Sequence, residues 1–146
     1  MTDTWKNGNG WFTPTEGATE YGVKMTQAYV TALIDLGVDV GNDGELFELA
    51  ERFDLSDVAT ETWARCERDV RDFLADNGDT LEATDYWGGW DGAVSAGYDF
   101  ALTRNGHGVG FWDRGEGDIG EALTKSAKAY GEVDMYVGDD GKLYVL

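Results

Sequence analysis

The chain has 146 residues, with 29 Asp and Glu against 11 Lys and Arg and a formal charge of −18, which excludes a surface built to neutralise nucleic-acid phosphates. No apolar run approaches the roughly 18–20 residues of a membrane span, and no basic, apolar leader opens the chain, so the expectation is a cytoplasmic protein with no membrane partner and no direct nucleic-acid partner. One cysteine, Cys66, and one histidine, His107, exclude an intrachain disulfide and a thiolate zinc cluster and limit any metal site to a single imidazole; no cofactor is called for.

The length fits one domain, 1–146, and 6 Trp, 7 Tyr and 6 Phe give it the material for a core that an acidic disordered tail lacks. Residues 1–14 read as a Gly-rich arm that packs through Trp5, Trp11 and Phe12 and ends at Pro14. Residues 15–97 read as mainly helical. From Ala18, the residues Tyr21, Met25, Ala28, Tyr29, Ala32, Leu33 and Leu36 recur at three-and-four spacing, which predicts a helix stopped by Gly37. After a Gly/Asp-rich turn, Leu46, Leu49, Ala50 and Phe53 repeat that pattern as a short second helix. A third is predicted from Ser56 to Asp76, with Ala59, Trp63, Cys66, Val70, Phe73 and Leu74 inward, Asp54 or Ser56 as N-cap and Gly78 beyond its end.

From residue 98 the period changes to two. Tyr98, Phe100 and Leu102 alternate with Asp99, Ala101 and Thr103, Asn105-Gly106-His107-Gly108 supplies turn chemistry, and Val109 to Arg114 returns, which predicts a β-hairpin. A helix follows from Asp118 to Tyr130, then a second hairpin from Met135–Val137 and Leu143–Leu146 across Gly138-Asp139-Asp140-Gly141. The predicted class is α+β: a helical N-terminal half packed with a small antiparallel sheet made by a ββαββ C-terminal half, residues 98–146.

The run from Tyr98-Asp99-Phe100-Ala101-Leu102-Thr103-Arg104-Asn105-Gly106-His107-Gly108 through Val109-Gly110-Phe111-Trp112-Asp113-Arg114-Gly115, followed by Met135-Tyr136-Val137-Gly138-Asp139-Asp140-Gly141-Lys142-Leu143-Tyr144, resembles a family of small acidic proteins encoded by bacteriophages and other mobile elements. The resemblance covers about a third of the chain. It implies a protein that acts on host machinery, and it assigns no catalytic residue. Asp99, Arg104, Asn105, His107, Trp112, Asp113 and Arg114 belong to this motif without a defined role. A histidine is common in the family where this chain has Tyr98, so a two-histidine site is in doubt here.

Two chemistries compete for the motif. Asp99, His107 and Asp113 at one end of a hairpin would suit a divalent cation or a general base with its orienting acid, as in a small hydrolase. The plainer reading is that the glycines serve the turn and that Arg104, Asp113 and Arg114 fix strand register through cross-strand charge pairs. Gly106-x-Gly108-x-Gly110 precedes a predicted strand where a phosphate loop requires a helix. Asp39 to Glu45 resembles a calcium loop but has Gly41 and Ala50 where oxygen ligands are required.

Charge is uneven along the chain: residues 35–91 hold 17 acids against 4 bases. Glu61 with Arg65, Glu67 with Arg71, and Arg68 with Asp72 are spaced for i,i+4 pairing. The unmatched acids are Asp35, Asp39, Asp43, Glu45 and Glu48 before the third helix, and Asp76, Asp79, Glu82, Asp85 and Asp91 at its end and beyond. If both flanks fold to one side, they form a strongly negative surface. Such a surface fits the basic groove of a nuclease or another nucleic-acid-binding host protein by duplex-like charge mimicry. The competing reading is a solvated coat suited to high salt, in keeping with 18 Asp and only 5 Lys. A virion or assembly component is a third possibility.

Overall fold

The computed structural model describes residues 12, 14–82, 84, 89–106, 110–111 and 117–146, the side chains of 89–91 excepted. The first helix, α1 (Glu20–Leu36), starts where the Thr19 side chain accepts a hydrogen bond from the Gly22 amide, 3.0 Å. Its burial is wider than one stripe: Val23, Val30 and Ile34 are covered as well as Met25, Tyr29 and Leu33. Gly37 follows it in extended backbone and leaves room for Leu49, since a Cβ there would come within 2.4 Å of the leucine.

The predicted second helix is instead strand and turn. Strands β1 (Val38–Val40) and β2 (Leu46–Glu48) pair antiparallel, with Asp39 opposite Phe47, and a 3-10 turn covers Leu49–Glu51. The spacing of Leu46, Leu49, Ala50 and Phe53 suits a helix. What decides against it is the tight turn before it, where the Glu45 amide donates to Asp43 Oδ1 at 2.9 Å and Gly44 takes φ +80°. Phe47 and Leu49 go inward, while Leu46 and Ala50 face solvent.

Asp54 caps a separate 3-10 turn, Leu55–Asp57, in a reciprocal box with Asp57, and not the third predicted helix. That helix, α2 (Thr60–Glu82), starts later and runs through Gly78, which sits in open space. Its inner face is the predicted one, with Trp63, Cys66, Val70 and Phe73 at most 2 % exposed.

The largest departure lies at residues 98–104, predicted as a strand and folded as the last turns of α3 (Gly89–Arg104). Asp99, Phe100, Ala101, Thr103 and Arg104 are all buried, so this helix is covered on almost every side and shows no helical stripe in sequence. Gly97 allows it to lie directly on α1: a Cβ would be 2.4 Å from the Met25 carbonyl oxygen and 2.8 Å from the Tyr29 nitrogen. Asn105-Gly106 then closes a helix instead of a hairpin. Gly106 adopts φ +71°, and its amide bonds the Thr103 carbonyl at 3.2 Å. Of the predicted return strand, Gly110 and Phe111 are described; Phe111 is fully buried, and its amide donates to Thr103 Oγ1 at 3.3 Å.

The closing α4 (Asp118–Lys128) and the hairpin β3 (Met135–Val137) with β4 (Leu143–Val145) match the predicted order. The molecule is α+β, with two separate two-stranded sheets in place of one. The Phe73 ring stacks on Phe100 at 4.4 Å and on Phe111 at 5.5 Å, and Tyr29 joins Phe100 at 4.9 Å, which forms an aromatic core between α1, α2 and α3. Phe12 of the predicted arm stacks on Trp63 with centroids 4.7 Å apart. No described helix is long and apolar enough to cross a membrane.

Candidate protein-binding surface

The β1–β2 hairpin has two unlike faces. Phe47 turns inward against Phe53 and under the Arg52 guanidinium, 3.9 Å from its ring centroid. Strand alternation and register put Val38, Val40, Leu46 and Glu48 on the outer face, where the three apolar residues are 52, 56 and 72 % exposed. Glu45 and Glu48 are exposed beside them, and Asp43 is exposed in the turn with one oxygen taken by the Glu45 amide. Asp39 differs from these three. Its carboxylate accepts the Val137 amide, 2.9 Å, and the Val40 amide, 2.7 Å, so it ties the two hairpins together. Those bonds, the one from Val137 foremost, hold its carboxyl below the usual range.

Asp35 is exposed at the end of α1 and accepts the Tyr98 hydroxyl, 3.1 Å, which links α1 to α3. Burial first, then the Asp35 charge, pushes the Tyr98 hydroxyl upward. Asp76, Asp79 and Glu82 are exposed along the C-terminal part of α2, joined by Asp72. Asp85 lies outside the described residues, as does the side chain of Asp91.

The two acidic groups are set well apart along α2. Ala59 N and Thr62 Oγ1, at the start of α2, both donate to the Leu143 carbonyl of β4, and β3 joins β1 through Asp39. Asp76 stands about 25 Å further along α2, at a rise of about 1.5 Å per residue. The hairpin acids and the helix acids therefore occupy opposite ends of that helix. The predicted i,i+4 pairs are also absent. Glu67 is buried and accepts the Thr15 amide, 2.9 Å, and the Thr15 hydroxyl, 2.6 Å, and Arg71 reaches the same hydroxyl at 3.3 Å. The ion pairs among the described residues are Lys24–Glu20 and Arg104–Asp69.

Within the motif, Arg104 does not fix strand register. It is 5 % exposed at the end of α3, and its guanidinium donates to Tyr29 Oη (2.7 Å), Asp69 Oδ2 (2.9 Å), the Gly131 carbonyl (2.8 Å) and the Tyr130 carbonyl (2.9 Å). Asn105 continues the same joint: Nδ2 donates to the Ala101 carbonyl at 2.9 Å, and Oδ1 accepts the Val133 amide at 3.0 Å. Asp99 is fully buried within a helix and does not flank a turn on a strand. His107, Trp112, Asp113 and Arg114 lie outside the described residues. Cys66 is buried, and desolvation pushes its thiol up to about 12, so it is not a reactive thiolate at neutral pH.

Residue-type reasoning missed the exposed valines and leucine of the first hairpin. Their signal is the β-branched Val-x-Val spacing beside an Asp-Gly turn, a turn that equally suits a connection between helices. Compared with protein families, with curated proteins and with solved structures, the chain matches none.

Proposed function

We propose that the protein is a non-enzymatic binding module whose β1–β2 hairpin docks on a basic protein surface, that of a nuclease or another nucleic-acid-handling protein of a host cell. The observation that carries this reading is the outer face of the hairpin, where three large apolar side chains lie exposed together within a rim of Asp43, Glu45 and Glu48. Apolar residues at the centre supply affinity that screened surface charge does not, and the carboxylates select a basic rim and speed encounter. The acids of α2 support the reading from a second direction. Asp79 and Glu82 lie in its last turn, where the helix dipole favours cations, and no basic residue accompanies them there. Their placement works against the helix and suits an external partner.

Charge mimicry is the steering component of this proposal. Asp72, Asp76 and Asp79 rise in steps of about 4.5–6 Å, whereas a duplex presents one charge per roughly 1.7 Å of axis. The carboxylate row is sparser than a phosphate row, and the apolar hairpin face supplies the remaining affinity.

The test is a pulldown with tagged protein from nuclease-treated host lysate, eluted in parallel with duplex DNA and with rising salt. Wild type is expected to retain one nucleic-acid-binding protein that duplex DNA releases. Leu46→Lys, and separately Glu45→Lys with Glu48→Lys, should lose it while keeping the native circular dichroism spectrum. Undiminished capture by both folded variants overturns the hairpin as the docking face.

A further inference from the structure

A second surface lies where the C-terminal hairpin meets the start of α2. The β3–β4 register sets Tyr136 opposite Tyr144, with ring centroids 6.0 Å apart and planes 29° from parallel. The Tyr144 ring is fixed on three sides. It rests on Gly138, where a Cβ would come within 2.5 Å of it, and its hydroxyl donates to Asp140 Oδ2 at 2.6 Å. Asp140 in turn accepts the Lys142 amide at 3.0 Å through Oδ1, so both its oxygens serve to hold the loop and the ring.

An open cleft of about 730 Å³ lies beside these rings, lined also by Glu61 from the first turn of α2 and by Asp139 from the loop. The attachment of Leu143 to Ala59 and Thr62 fixes the distance between hairpin and helix, so the cleft is part of the packed fold. Neither Glu61 nor Asp139 has a hydrogen-bond or ion-pair partner among the described residues. The nearest cations in sequence, Arg65 one turn along α2 and Lys142 in the loop, form no ion pair with them. The exposed Tyr136 ring, backed by Tyr144, with two uncommitted carboxylates beside it matches a planar cation, which stacks on the ring while its N–H groups reach the carboxylates.

We infer that this cleft is a receptor for a guanidinium group, an arginine side chain presented by a peptide or protein. The inference is independent of the docking face on the first hairpin, because the residues differ and the test uses a small probe. Arginine is favoured over lysine, whose compact and strongly hydrated ammonium gives up more on leaving water and does not stack.

The experiment is an NMR titration of the full chain with an acetylated, amidated Gly-Arg-Gly peptide at fixed ionic strength, against the same peptide carrying neutral citrulline. Saturable shifts centred on Tyr136 and Tyr144 are expected with arginine and none with citrulline. Tyr136→Leu, at a site 36 % exposed, should weaken binding about two- to five-fold with no change in net charge. Glu61→Gln should weaken it to a similar degree. Equal binding of the citrulline peptide overturns the inference. So do arginine-induced shifts that spread over Asp72, Asp76 and Asp79 and survive Tyr136→Leu, since those report charge attraction alone.

Discussion

Arg104 shows how much one side chain decides in this molecule. A buried guanidinium is costly unless its nitrogens find partners, and here one carboxylate, one phenol and two carbonyls take four of its five N–H groups. Arg104→Ala strands Asp69 in a largely covered position and is expected to cost about 3–5 kcal/mol, read from urea denaturation. Arg104→Lys should recover little, because an ammonium cannot span four partners fixed for a planar fork. Asp39 makes a prediction with a pH signature. Its carboxyl titrates lower in the folded chain than in the unfolded one, so the stabilisation it gives is complete above the unfolded carboxylate value of about 3.9 and is lost as pH falls through the folded value. Asp39→Ala should lower stability by about 1 kcal/mol at pH 7. The gap to wild type should close as pH drops below about 4, as measured by thermal melts across pH.

At the scale of elements, glycine position separates contact from propensity. Gly97→Ala forces a methyl into the backbone of α1 and should cost about 1–3 kcal/mol. Gly78→Ala, in open space within α2, should add about 0.5–1 kcal/mol. Matched denaturation curves of the two variants check both signs. Such contacts also explain what the sequence made legible. The inner face of α2 could be read because Trp63, Cys66, Val70 and Phe73 are covered while Arg68, Arg71 and Asp72 are not. The end of α3 could not, because a helix covered all round loses its polar stripe, and the alternation of Tyr98, Phe100 and Leu102 then imitates a strand. Asn-Gly added to the error, since a hairpin turn and a helix C-terminus both favour a residue that tolerates positive φ. The candidate surface was half legible. Its carboxylates could be counted from residue types, whereas the exposure of Val38, Val40 and Leu46 depends on reading Val38-Asp39-Val40 as a strand, against the helical spacing of Leu46, Leu49, Ala50 and Phe53.

For the whole molecule, a charge of −18 makes folding work against self-repulsion. The melting temperature is expected to rise between 0.05 and 1 M NaCl, as the screening length contracts to about 3 Å. Charge reversal tests where the repulsion and the dipole penalty coincide. Asp79→Lys should stabilise the folded state by about 0.3–1 kcal/mol at low salt, and salt should erase most of the gain. Calorimetry at two salt concentrations reads both effects. A protein made more stable by removing its own acid holds that acid for a reason outside its fold, be it a partner or a saline medium, and the pulldown separates the two.

The attachment of Leu143 to the first turn of α2 has a kinetic consequence. Trp63 receives Phe12 from one end of the chain, and its neighbour Thr62 receives Leu143 from the other, so a single helical turn is the meeting point of segments remote in sequence. Closing long loops is slow relative to forming helices. Under pulse-labelling hydrogen exchange, the amides of Ala59 and Trp63 should gain protection after those near Val70 and Phe73, so that the start of α2 reports the last stage of refolding.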